Sequence, residues 1–368
     1  MSRHTSLVPA PLAQIPWRVI LLVSAISGFG LVVLYSAAGG SLKPWAWSQG
    51  IRFVFFLGIA LLISRVREDQ LKAVSFPLYA ILIVLLIAVE MFGFVGGGSR
   101  RWLDLGFIRL QPSEFMKLAI ILVLARFYDM LPAGEIRRWS AIWPAAILIG
   151  LPFMLVMTQP DLGTSLMIVA GGMTVMFLAG LPLRLFIGGA AALGAALPIA
   201  LSMMHEYQRN RVEIFLNPES DPLGTGYHII QSKIAIGSGG IFGKGFLRGT
   251  QSHLDYLPEG HTDFVFATMA EEWGLVGGVG LIIAFFLVVR WGMQVANCSR
   301  TRFGRLAAAG LTTTIFFYVA INLMMVMGLA PVVGIPLPLV SFGGSAMMTV
   351  LFCLGMLMAL DRAAKERK

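Results

Sequence analysis

The sequence predicts an all-α polytopic membrane protein, and three observations carry that fold class. Of the 368 residues, 57% are hydrophobic, and the mean hydropathy is +0.80. Only 13% are charged, against about 25% in a soluble domain, so the chain cannot cover a water-soluble surface. The apolar residues are also gathered into runs near the ~20 residues that a helix needs to cross a hydrocarbon core.

Taken in order, the windows are roughly 17–37, 47–64, 75–95, 112–128, 141–158, 163–181, 185–204, 264–290, 306–327 and 338–360. The first starts near Trp17 with no small-residue cleavage site behind it, so it reads as a retained span. The fourth is short and polar at its start. The seventh and eighth are separated by the one long connection, 205–263. Loops longer than about 12–15 residues are usually functional or disordered. This one mixes charge (Glu206, Arg209, Arg211, Lys233, Lys244) with apolar anchors (Tyr227, Ile229, Phe242, Phe246) and many glycines, which favours order. Its stretch Ile229–Ile236 is apolar enough for a half-inserted or interfacial helix. No fixed-period repeat is visible, and one integral domain over 1–368 is expected.

Lysine and arginine in the connections set the orientation. With a cytoplasmic N-terminus, most of the 28 basic residues fall inside, among them Arg65, Arg67, Arg137, Arg138, Arg300, Arg302 and Arg305. The short outer connections hold chiefly Lys43, Arg100, Arg101 and Arg109. An even number of spans then leaves both termini inside and the 205–263 loop outside. The net charge of +9 is read as this positive-inside bias, and no nucleic-acid partner is expected. Cys298, in an expected cytoplasmic loop, and Cys353, in the last span, lie too far apart to pair and form no CxxC or metal spacing.

Polar residues recur at the outer starts of inward-going helices. Span four opens on Arg109, Gln111, Pro112, Ser113, Glu114 and Lys117. Span six opens on Gln159, Pro160 and Asp161, span eight on His261, Thr262 and Asp263, and span ten on Ser341, Gly343, Gly344 and Ser345. Proline in a first turn is a helix-start signal. A helix start presents free N–H groups and a positive dipole end, which suits anions such as phosphate.

Each of these residues has a bland alternative. Glu114 and Lys117 share a helical face, either as an ion pair that eases insertion or as a cavity group. In the second case Lys117, with Arg109 and Arg101, meets a phosphorylated ligand. Asp161 is an N-cap or a cavity-lining acid. Ser345 sits where small residues also serve tight helix packing. Glu271 and Glu272, about 12–14 Å deeper than Asp263 at 1.5 Å per residue, read as buried partners for basic groups. Glu90 reads as a buried acid of span three. Glu259, His261 and Asp263 fall within five residues. Asp263 is an N-cap or a general base, and His261 a positioning hydrogen-bonder or an acid or base. A carboxylate there serves as base if its surroundings raise its pKa, although a helix start pulls its pKa the other way.

Five strings resemble the SEDS family of shape, elongation, division and sporulation proteins. They are GTQSHLDYLPEGHTDFVFATMAEEWG from Gly249, GSRRWLDLGFIRLQPSEFMKLA from Gly98, TQPDLGTS from Thr158, NPESDPLGTGYHIIQSKIAIGSGGIFGKGF from Asn217 and PLPLVSFGGSA from Pro336. The likeness covers essentially the whole chain, and the GTQSH form of the loop resembles the elongation branch more than the division branch. Gly260 and Trp273 are slight departures from the family pattern.

The resemblance implies a peptidoglycan glycosyltransferase of the bacterial inner membrane that polymerises lipid II on the outer face. It also implies a class B penicillin-binding protein and other elongation-complex membrane proteins as partners. The family's essential aspartate falls on Asp263, and its early charged pair on Glu114 and Lys117. Arg101, Arg109, Asp161, Glu259, His261 and Ser345 are the further candidate substrate contacts. No cofactor is certain. A divalent cation, magnesium or manganese, would find oxygen ligands in Asp263 and Glu259. Two other readings are a lipid II transporter, which predicts decisive polar groups at the membrane midplane, and a scaffold that only recruits the penicillin-binding protein.

Overall fold

The computed structural model describes residues 15–366 except 97–98, 105–108, 204–205, 222–223, 255 and 258. It is nearly all helical. Helices α1 (Trp17–Ala37), α2 (Trp45–Ile63) and α3 (Glu68–Phe92) lead into a small antiparallel sheet of β1 (Phe94–Gly96), β2 (Ser99–Asp104) and β3 (Arg109–Leu110). Leu103 faces Leu110 and Asp104 faces Arg109 across the second pair. Helices α4 (Pro112–Met130), α5 (Trp139–Thr158), α6 (Leu162–Ala179) and α7 (Leu183–Met203) follow. The long connection holds α8 (Glu206–Leu216), α9 (Thr225–Gly239) and the short α10 (Thr250–His253). Helices α11 (Val265–Cys298), α12 (Arg302–Val326) and α13 (Gly344–Glu366) complete the chain.

Among the described residues, α1, α2, α3, α5, α6, α11, α12 and α13 are long and apolar enough to cross a membrane. Helices α4 and α7 occupy the two remaining expected windows. Helix α4 carries charge near both ends and is deeply buried between them, with every residue from Met116 to Ala125 buried. It packs against α3, α6 and α12. A charged helix is tolerated there because its charges face protein and are paired. At its far end Asp129 accepts from Arg126 Nη1 at 3.1 Å and from the Phe303 amide at 3.1 Å. Arg302 donates to the Leu131 carbonyl at 2.9 Å. The bonds from Phe303 and Arg302 clasp the end of α4 to the start of α12.

The local signals act as capping chemistry predicts. Pro112 stands in the first turn of α4. Asp161 caps α6, its Oδ1 accepting from the Thr164 amide at 3.1 Å. Thr301 caps α12, its Oγ1 accepting from the Gly304 amide at 3.0 Å. The apolar stretch expected as an interfacial helix lies inside α9, where Ile229, Ser232 and Ala235 are buried. Ser232 donates to the Val326 carbonyl at 2.7 Å and docks α9 on the end of α12.

Three expectations are corrected. The eighth window is a broken helix, because α11 kinks at Gly274, with φ 62° and ψ −159°. The loop around Gly240 to Gly245 fills the break. Leu275 and Val276 donate to the carbonyls of Gly240 and Ile241 at 2.9 and 3.1 Å, while Lys244 and Gly245 donate to those of Glu271 and Glu272 at 2.9 and 3.0 Å. A Cβ on Gly243 would stand 2.0 Å from the Glu272 carbonyl oxygen, so only glycine lets the loop approach. Cys298 is the last residue of α11 rather than a loop residue, and both cysteines are free. Glu90 is exposed, with Thr158 Oγ1 3.4 Å away, because it lies on the outer side of α3.

Candidate active site

Four helix starts converge through named contacts. Gln111, before α4, donates from Nε2 to Asp161 Oδ2 at 3.3 Å and joins the starts of α4 and α6. The start of α6 lies against Val333 and Ile335, the latter's side chain 3.1 Å from a Cβ built on Gly163. The Phe342 amide donates to the His261 carbonyl at 2.8 Å and joins the approaches to α11 and α13. Asp161 is therefore a cap and a cross-link at once.

The turn Glu259–Phe264 carries the central group. Amides of Thr262 and Phe264 donate to the Glu259 carbonyl at 3.1 and 3.2 Å, and Thr268 Oγ1 donates to the Gly260 carbonyl at 3.0 Å. This leaves Asp263 half-buried at the mouth of α11. A Cβ built on Gly334 would be 3.6 Å from Asp263 Oδ2, so the segment after α12 passes beside the carboxylate. Glu259 accepts from the Thr262 hydroxyl. The His261 ring stacks on Trp45 with centroids 4.0 Å apart and planes 11° apart. Burial holds its imidazole below the ordinary histidine pKa, while the Glu259 carboxylate pulls more weakly the other way.

Beneath these starts lies a charged pair inside the protein. Lys117, 2% exposed, donates from Nζ to Glu114 Oε1 at 2.6 Å and to the Tyr318 hydroxyl. Tyr318 donates to Glu114 Oε2 at 2.6 Å, and Thr349 Oγ1 lies 2.7 Å from the same oxygen. The sequence signals brought Glu114 and Lys117 together correctly. A direct phosphate contact by Lys117 would require it to leave both partners. Arg101 is half-buried and donates to the carbonyls of Gln159 and Pro160. It fastens β2 to the entry of α6. The side chain of Arg109 lies outside the described residues. Ser345 is half-buried in the first turn of α13, and its carbonyl lies 3.0 Å from Thr349 Oγ1.

Sequence reasoning missed five contributors. Tyr318 and Thr349 sit inside apolar windows and meet Glu114 only through the fold. Asn322 donates to the backbone carbonyls of Asp263 and Ile335. Arg52 lies with its guanidinium carbon 4.8 Å from the Phe342 ring centre and beside Gly344. Gln49, one turn away, donates to the Ser341 carbonyl at 2.6 Å.

Comparison with known proteins places the chain in a family. A family model described as cell cycle protein, of the FtsW/RodA/SpoVE type, matches residues 16–366. The chain belongs to the FtsW/RodA/SpoVE family. It is similar to the peptidoglycan glycosyltransferase MrdB of Escherichia coli K12, with 45% identity over 94% of this chain and 93% of that protein. It is also similar to the peptidoglycan glycosyltransferase RodA of Treponema pallidum, at 31% identity over 94% and 97%. Among solved structures, one from work on how a peptidoglycan synthase complex coordinates polymerization and crosslinking superposes with a TM-score of 0.82. It shares 35% identity and covers 95% of this chain and 98% of that chain. The rod shape determining protein RodA of Thermus thermophilus superposes with a TM-score of 0.72 at 30% identity, covering 95% and 97%. These RodA-type likenesses agree with the elongation-branch motif, and the chain is a multi-pass membrane protein of this fold.

Proposed function

We propose that this protein is a peptidoglycan glycosyltransferase that polymerises lipid II during cell elongation, with Asp263 as its general base. The activity rests on 45% identity across 94% of the chain to a peptidoglycan glycosyltransferase. The role of Asp263 is supported by its half-buried position where the α11 entry meets the Gly334 segment.

The chemistry is a single inverting displacement. Asp263 takes the proton from the 4-hydroxyl of the acceptor N-acetylglucosamine as that oxygen attacks C1 of the donor N-acetylmuramic acid. Undecaprenyl pyrophosphate leaves, and the α-linked sugar becomes β-linked. No enzyme nucleophile is needed. Arg101, Arg109 and the clustered helix starts lower the cost of the departing charge. Lys117 and Glu114 act from below by fixing α4 against α12 and α13, and Lys117 meets phosphate only in a state that opens this pair. His261, Glu259 and Asp161 shape the rim, and Ser345 lies at its α13 side.

The substrate's tail stays in the membrane. A groove of about 860 Å³ runs between α1 and α2, lined by Leu31, Tyr35, Gly50, Val54 and Phe246. Its lining includes Ala46 and Trp47, next in sequence to Trp45, the residue on which His261 stacks, and it suits a polyprenyl chain.

A divalent cation fits in a limited way. Among the described residues no group of three or more His, Cys, Asp or Glu side chains comes together, so a cage made only of protein does not fit. Magnesium is also bound by one or two carboxylates with substrate phosphates completing the set. Asp263 and Glu259 would hold it, and it would neutralise charge on the leaving pyrophosphate.

The distribution of basic residues supports an inner-membrane protein with Asp263 on the extracytoplasmic face. A class B penicillin-binding protein is the proposed partner, together with other membrane proteins of the elongation complex. The transport reading is weakened because the deep acids are committed. Glu271 accepts from Lys244, Thr250 and Gln251, and Glu272 accepts from Ser36. Polymerisation of labelled lipid II by the purified chain with its partner tests the assignment. Wild-type activity in Asp263→Asn, which is nearly isosteric, would overturn the base.

A further inference from the structure

Asn322 is fully buried near the end of α12, at 0% exposure. Its Nδ2 lies 2.9 Å from the Asp263 carbonyl oxygen and 2.8 Å from the Ile335 carbonyl oxygen. Both partners are acceptors, so the amide must turn its NH2 toward them. Its Oδ1 is buried with no hydrogen-bond partner among the described residues. A buried acceptor left without a donor is unfavourable. The group therefore spends both its protons on two backbone segments and leaves its own oxygen unsatisfied.

Those two segments are the ones that meet at the carboxylate. One is the turn that ends at Asp263. The other begins at Gly334, whose Cβ position is 3.6 Å from Asp263 Oδ2, and continues to Phe342, whose amide holds the His261 carbonyl at 2.8 Å. Neither segment is regular helix, so no ladder of backbone bonds fixes their separation. A 1 Å error in such a distance is expensive for a transfer that depends on orientation.

We infer that Asn322 is a positioning residue for glycosyl transfer: its carboxamide staples the Asp263 turn to the Gly334–Phe342 segment and so sets where the carboxylate stands. This rests on the reading of Asp263 as the base. Asn322 touches no substrate and acts through Asp263.

The test uses the full-length chain with its transpeptidase partner and labelled lipid II. Asn322→Leu keeps the volume and removes both donors. Asn322→Ser is smaller and keeps one. Thr314→Val, on α12 about two turns earlier and also buried, serves as the control. The staple predicts that kcat falls at least tenfold in Asn322→Leu and less in Asn322→Ser, with KM within twofold of wild type. Thr314→Val should keep its kcat even if its unfolding temperature drops as far. Hydrogen exchange of peptides spanning 259–264 and 334–342 should rise in Asn322→Leu and stay unchanged in the control. Normal kcat and unchanged exchange in Asn322→Leu would overturn the inference, as would a loss that only follows the unfolded fraction. If wild type made no glycan at all, the functional reading would fall, and exchange in these two segments would still decide the staple.

Discussion

The hydroxyl of Tyr318 lies 2.6 Å from Oε2 of Glu114 and joins α12 to α4 inside the protein. Lys117 completes the triangle, so a full negative and a full positive charge are stored where neither meets water. Breaking such a pair from one side costs about 3–5 kcal/mol, because the remaining charge is buried alone. Lys117→Met should therefore lower the thermal unfolding temperature in detergent sharply. Tyr318→Phe removes one donor and should cost about 1–3 kcal/mol. The double change Lys117→Met with Glu114→Gln should recover most of the loss, since no charge is stranded. A double variant no more stable than the single one would show that the pair is not coupled in this way.

Much of this site was legible before the fold. The helix-start signals at Gln111–Pro112, Asp161 and His261–Asp263 lie within a few residues of one another or beside a proline, and short-range spacing carries such signals. Glu271 read as a buried partner for a basic group, and Lys244 is that group, 2.6 Å away. What escaped has a common cause. Tyr318, Thr349, Asn322 and Arg52 are single polar residues inside apolar windows, and their partners lie far away in sequence. The kink at Gly274 was hidden because one glycine in an apolar run looks like any other. The β1–β2–β3 sheet was hidden because its strands are too short to show an alternating pattern.

His261 should make stability depend on pH in a defined direction. Burial under Trp45 depresses its pKa in the folded state, while an unfolded histidine titrates near ~6.5. Above about 6.5 neither state binds the proton, and this contribution is fully present. As pH falls below that, the unfolded state takes up the proton first and stability drops, levelling off below the depressed folded value. The unfolding temperature of wild type minus that of His261→Phe, measured between about pH 7.5 and pH 5 without divalent ions, should fall toward acid. A flat difference would contradict the depressed pKa.

Metal removal should separate the two rim carboxylates. If one or two carboxylates and the substrate's phosphates share magnesium, chelation slows polymerisation and added magnesium or manganese restores it. Glu259→Gln should then raise the magnesium concentration needed for half-maximal rate several-fold while keeping the rate at saturation. Asp263→Asn should lose about 100-fold or more, in the range typical of a general base, and added metal should not rescue it. Full activity after exhaustive chelation would remove the cation from the scheme.

Gly243 gives the clearest steric prediction. Its φ of +79° disfavours any side chain, and a Cβ would stand 2.0 Å from the Glu272 carbonyl oxygen. Gly243→Ala must therefore push the Gly240–Gly245 loop out of the break in α11. Four backbone hydrogen bonds across that break are then lost together, those of Lys244, Gly245, Leu275 and Val276. The anchor at Glu271, which holds Lys244 at 2.6 Å and the Thr250 amide at 2.9 Å, loosens with them. Helix α11 begins at the mouth that carries Asp263, so the disturbance lies about two to three turns from the base, counted along the helix. The expected result is faster hydrogen exchange over residues 240–253 and 271–276, and easier proteolytic cutting of that loop. Polymerisation should fall at least as much as the folded fraction does. Gly237→Ala, where a Cβ meets nothing within 4 Å, should leave exchange, cutting and rate unchanged. Wild-type protection of the loop in Gly243→Ala would mean that the contact across the kink does not hold it.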